Sequence, residues 1–129
     1  MGKPAAKLGD RVTGMDTHLV QPPGPVPPTP VPLPFSGTLI GQLSRNVRIE
    51  GRPAATVGST ATNLPPHIPP GGTFVKPPTN QGRVMVGSLT VRINGKPAAR
   101  AGDPVLTCND PVDLPVGRVL AVGTVRIGG

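Results

Sequence analysis

Apolar and polar positions alternate in short runs along this chain and never settle into a helical period. Val47 and Ile49 flank Arg48, Val91 and Ile93 flank Arg92, and Val125 and Ile127 flank Arg126. A period of two turns one side chain inward and the next outward, so each run reads as a short, half-buried strand. Three hairpins are expected. The first carries Leu39-Ile40, a turn around Gly41 to Asn46, and Val47 to Ile49. The second joins Val84-Met85-Val86 to Leu89–Ile93 through Gly87-Ser88, and the third joins Val119–Val122 to Val125–Ile127 through Gly123-Thr124. A glycine-led pair at the turn suits the primed geometry of tight hairpins.

The strand is the start of a longer repeat. Val91-Arg92-Ile93-Asn94-Gly95-Lys96-Pro97-Ala98-Ala99-Arg100-Ala101-Gly102-Asp103 matches, without a gap, the stretch from Val47 to Ser59. A third copy is split between the termini: Gly2-Lys3-Pro4-Ala5-Ala6-Lys7-Leu8-Gly9-Asp10 is its second half and Val125-Arg126-Ile127-Gly128-Gly129 its first. Gly2 and Gly129 both match Gly51 and Gly95, so the ends are expected to meet and close a ring. The fold expected is all-β: a small cone of three pseudo-threefold β-hairpin repeats with long Pro-rich loops converging at an apex. One domain spans 1–129, with repeat cores at about 1–20 plus 117–129, 37–67 and 82–116. The intervening loops are Gln21 to Pro34, extended or polyproline II, then Thr60 to Gln81 and Pro104 to Gly117.

Composition sharpens this picture. With no Trp or Tyr, two Phe, 18 Gly and 20 Pro, the core must be built from Val, Ile, Leu and Ala and will be thin. Support from rigid loops, a metal or a partner is expected. The net charge is +7. The cations are scattered, and the aromatic platforms of single-strand binders are missing, so nucleic acid is not an expected partner. One cysteine excludes an intramolecular disulfide. The N-terminus lacks the apolar run of a signal peptide and no stretch resembles a membrane span, so synthesis and folding in the cytoplasm are expected.

Pro97-Ala98-Ala99-Arg100, its Gly-Lys lead and the preceding Val-x-Ile strand resemble the PAAR-repeat family. Pro4-Ala5-Ala6-Lys7 and Pro53-Ala54-Ala55-Thr56 are in-register variants, and the resemblance runs from Gly2 to Gly129. It implies a β cone that caps and sharpens the trimeric valine-glycine repeat spike of a contractile injection machine, such as a type VI secretion system. It further implies export on the spike tip without a signal peptide, transient membrane contact during puncture, and possible effector cargo. Threefold internal repetition fits such a partner at one copy per trimer, because one chain caps three equivalent faces without mismatch only if it repeats three times. Two alternative roles fit the sequence: an effector-recruiting adaptor, and a polyproline module for SH3-like partners displaying residues 21–34.

Metal-ligating side chains fall one per repeat. His18 lies fourteen residues after Pro4, His67 fourteen after Pro53, and Cys108 eleven after Pro97 in the third loop. If the loops converge, two imidazoles and a thiolate meet, a set suited to structural Zn²⁺, with Asp16 or Asp110 as a fourth ligand. The resemblance implies zinc near the tip as well. A pointed apex offers no concavity for substrate, so no catalytic residues and no enzyme are expected. The opposite end should dock the spike, with Gln42, Ser88 and Thr124 at the candidate turns.

Overall fold

The computed structural model describes residues 2–128; the expectation about Gly129 lies outside them. The strands in chain order are β1 (Lys3–Pro4), β2 (Arg11–Gln21), β3 (Thr29–Gly41), β4 (Arg48–Ile49), β5 (Arg52–Pro53), β6 (Thr60–Asn63), β7 (Thr73–Phe74), β8 (Gln81–Val84), β9 (Arg92–Ile93), β10 (Lys96–Pro97), β11 (Pro104–Thr107), β12 (Leu114–Leu120) and β13 (Arg126–Ile127). Among the described residues there is no helix. The fold is a small all-β cone.

Three two-stranded ribbons form one end. β4 pairs with β5, β9 with β10, and β13 with β1, in the same register each time: Ile49↔Arg52, Ile93↔Lys96, Ile127↔Lys3. The two halves of the split repeat therefore do meet. The ribbon turns differ from those expected. They are Glu50-Gly51 (φ 53° and 82°) and Asn94-Gly95 (φ 54° and 79°), left-handed pairs of the kind a type I′ hairpin needs. Gly87-Ser88 and Gly123-Thr124 connect barrel strands to ribbons instead, so the hairpins predicted across them are not formed.

After each ribbon the Pro-Ala-Ala segment crosses the molecular axis. Ala6 N–H donates to Ala99 C=O (2.9 Å), Ala99 N–H to Ala55 C=O (3.0 Å), and Ala55 N–H to Ala6 C=O (3.0 Å). These bonds close a triangle. Three backbones approach this tightly only with the smallest Cβ-bearing side chain, and all three alanines are fully buried. On the ribbon side of the triangle, Ala5, Ala54 and Ala98 pack with Ile49, Ile93 and Ile127.

On the other side stands a closed six-stranded antiparallel barrel, ordered β2-β3-β6-β8-β11-β12 and back to β2, with β7 added outside β2. Each repeat contributes two neighbouring strands. The segments expected as loops thus contain part of the barrel, namely β6, β11, the first half of β3 and the start of β12, while β2 and β3 run side by side from Arg11↔Thr38 to Val20↔Thr29. Pro30, Pro32 and Pro34 alternate along β3 beyond its pairing with β6, where every second N–H faces a free edge. A proline is tolerated there because no ladder bond is lost. Phe35 fills the barrel centre, and the wall gives way to it: a Cβ on Gly37 would lie 2.9 Å from the Phe35 ring. Val12, Leu39, Val84, Val105 and Val119 complete this core.

Candidate metal centre

The barrel strands run past Phe35 towards the apex and end in a buried polar cluster. Asp16 and His18 are on β2, separated by two, so both face inward along with Val12 and Val20. His67 comes from the β6–β8 connection, and Cys108 follows β11 directly. One ligand atom from each of Asp16, His18, His67 and Cys108 lies within 4.8 Å of the others. The three repeats do bring their ligands together.

Asp16 ties the group. Its Oδ2 is 2.8 Å from His67 Nε2 and accepts the Cys108 thiol at 3.4 Å, and its Oδ1 accepts the Thr107 hydroxyl and Asn109 Nδ2. Asp110 lies outside the cluster: its Oδ2 sits 3.5 Å from His18 Nδ1 and accepts Leu19 N–H at 2.8 Å. Of the two carboxylates considered as a fourth ligand, Asp16 is the one within the group, and Asp110 backs His18 from the side.

His18 gives the site its chemical direction. The side chain is 1% exposed, yet neither ring nitrogen makes a hydrogen bond among the described residues. A buried polar atom left unpaired costs on the order of 1–3 kcal/mol, so its persistence calls for a partner. Phe74 of β7 packs against this ring at 5.7 Å between centroids, and His67 at 5.0 Å. Burial pushes the Cys108 thiol up to about 11, and the Asp16 charge adds to the shift. A cation that displaces the thiol proton would take lone pairs from Cys108 and from the bare imidazole nitrogen, and the N, N, S, O donor set fits a borderline metal ion.

The supporting residues had no prior assignment. Asn63 Nδ2 is 3.3 Å from His67 Nδ1, and Asn80 Oδ1 accepts both Asn63 Nδ2 and His67 N–H. Asn109 Oδ1 accepts Thr17 N–H at 2.7 Å. Asn63, four residues before His67, and Asn109, next to Cys108, were the available signal.

At the opposite end one docking expectation needs correction. Ser88 is 2% exposed, and its hydroxyl accepts Val91 N–H and donates to Gly128 C=O at 2.7 Å, so it stabilises a turn and is closed to a partner. Gln42 and Thr124 are exposed; Gln42 C=O accepts the Ser59 hydroxyl and Thr124 N–H donates to Glu50.

No curated protein matches the chain. A family model, the PAAR motif, matches residues 34–112 and 75–129.

Proposed function

The chain belongs to the PAAR-motif family, and from that premise we propose that it is the non-enzymatic tip of a contractile injection machine, capping and sharpening a trimeric valine-glycine repeat spike at one copy per trimer. The observation that carries this reading is the triangle of backbone hydrogen bonds through Ala6, Ala55 and Ala99, with three ribbons in identical register around it. A single chain with that symmetry offers three equivalent faces to a threefold partner. The docking end is the ribbon end, where Ile49, Ile93 and Ile127 surround the axis and the exposed Arg48, Arg92 and Arg126 repeat at equivalent positions. Each of these guanidinium groups donates to the carbonyl of its own ribbon turn at 3.1 Å, which holds it in place before a partner arrives.

The apex is the puncturing end. Zn²⁺ would be held by His18, His67, Cys108 and Asp16. When bound, it supplies crosslinks between three proline-stiffened segments that otherwise meet through few apolar contacts. Asn63 and Asn80 place His67, Thr107 and Asn109 hold Asp16, and the Asp110 carboxylate lies 3.5 Å from His18 Nδ1. The protein travels out of the cytoplasm on the spike, touches the target membrane transiently, and carries effectors if they bind it.

The test mixes the purified chain with a trimeric valine-glycine repeat spike and weighs the complex by native mass spectrometry. One chain and one zinc per trimer are expected. Three chains per trimer, or no complex, would overturn the spike-tip reading.

A further inference from the structure

Two of the repeats differ in charge at an equivalent place, a cleft between the Pro-Ala-Ala turn and the neighbouring ribbon. In one repeat the cleft, about 360 Å³, is lined by Lys7 and Arg52 with Asp10 and Glu50, and its charges balance. In the middle repeat the corresponding cleft, about 330 Å³, is lined by Thr56, Asn94, Arg45 and Lys96 among others and by no carboxylate. The sequence register gives the changes. Ser59 stands where Asp10 does, Asn94 where Glu50 does, and Arg45 where Gly123 does, while Thr56 replaces Lys7. Two acids are lost, one cation is lost and one is gained, which leaves Arg45 and Lys96 unopposed.

Both cations are exposed and, among the described residues, neither makes a hydrogen bond or an ion pair. The polar groups between them are already ordered. The Ser44 hydroxyl donates to Asn94 Oδ1, and Asn94 Nδ2 donates to Asn46 Oδ1 at 2.8 Å. The cleft is therefore a fixed, uncharged floor with two free cations at its rim. We propose that it binds an acidic segment of a protein partner, with carboxylates pairing Arg45 and Lys96. A cleft of this size falls in the range of ligand pockets and exceeds what one small oxyanion fills. In the third repeat Asp103, paired with Arg100, stands at the Asp10 position and Leu89 at the Arg45 position, so the carboxylate-free pair of cations is confined to the middle repeat, breaks the pseudo-threefold symmetry and selects a single, asymmetric partner per chain. It requires neither the spike nor the metal.

The experiment titrates ¹⁵N-labelled full-length chain with a hexaglutamate peptide and follows amide shifts. Shifts should centre on Arg45, Asn46, Asn94 and Lys96 and leave Glu50, Arg52 and Gly123 of the balanced cleft unmoved. Arg45→Glu and Lys96→Glu should each weaken binding at least about tenfold, and Arg52→Glu, at the position equivalent to Lys96, should change it less than about twofold. Arg45→Gly, which places the residue found at position 123, serves as a second variant if the first misfolds, and should weaken binding in the same direction. Inorganic phosphate should bind more weakly than the peptide. Equal shifts in both clefts, no shifts, or phosphate binding as tightly as peptide would each overturn the proposal.

Discussion

The two ends of this molecule are held together by different means. At the ribbon end the three repeats do the same thing three times: one register, one set of backbone bonds, and Ala and Ile in every equivalent position. At the apex they do three different things, since β2 supplies a strand histidine, the β6–β8 connection a loop histidine, and the residue after β11 a cysteine. Backbone bonds repeat with the sequence and need no particular side chain beyond a small one. The mixed donors at the apex come from positions where the repeats differ in length and composition. Repetition makes the scaffold, and departures from repetition mark the chemistry.

Four measurements break or sharpen that contrast, from the largest effect to the smallest. Deleting Val125 to Gly129 removes β13, the buried Ile127 and the bond from Ala5 N–H to Val125 C=O. A loss of about 3 kcal/mol or more is expected in denaturant unfolding, enough to leave a thin-cored domain largely unfolded. Stripping metal acts only at the apex. Protein held with free zinc at about a thousand times the dissociation constant should lose about 4 kcal/mol on chelation, read as a lowered Tm, while hydrogen exchange at Ala6, Ala55 and Ala99 stays slower than at His18. Equal loss of protection at both ends would show that they are not separable.

Ala99→Leu tests the axis itself. The site is fully buried and has three backbones around it, so overpacking should cost about 1–3 kcal/mol with zinc stoichiometry unchanged in the folded fraction. The smallest effect concerns Cys108 in metal-free protein. Its thiol is raised from 9.0 to about 11, so the folded state holds the proton more tightly than the unfolded state does. Stability should be intact below pH 9 and should decline as pH rises towards 11, whereas Cys108→Ser should show no such decline. A profile of the same slope in both proteins would place the titration elsewhere.

Much of this structure was legible in the sequence, and what was missed has a physical reason. The Val-x-Ile strands, the alanine pairs and the joined termini could be read because the repeat constrains backbone spacing. The barrel strands could not. In β3 the prolines at 30, 32 and 34 suggest a polyproline segment, and only the pairing of β2 on one side and nothing on the other makes them compatible with a strand. The ribbon turn was readable in Asn94-Gly95, but the equally glycine-bearing Gly87-Ser88 drew the prediction, and tertiary bonding to Gly128 decided between them. At the apex the spacing of His18, His67 and Cys108 pointed to one site. Choosing Asp16 over Asp110 required knowing which face of β2 turns inward.

The closed barrel above the alanine triangle has a mechanical consequence. A sheet with an edge fails by peeling, one ladder bond at a time, because a pull can be concentrated at its last strand. In the six-stranded barrel every strand is paired on both sides over part of its length, and a compressive load along the axis reaches all six at once as shear. The same load then passes through three interlocked backbone bonds at the triangle, which form one ring and cannot be opened singly without straining the other two. The cone therefore resists a thrust on its tip far better than a sideways pull on any single strand.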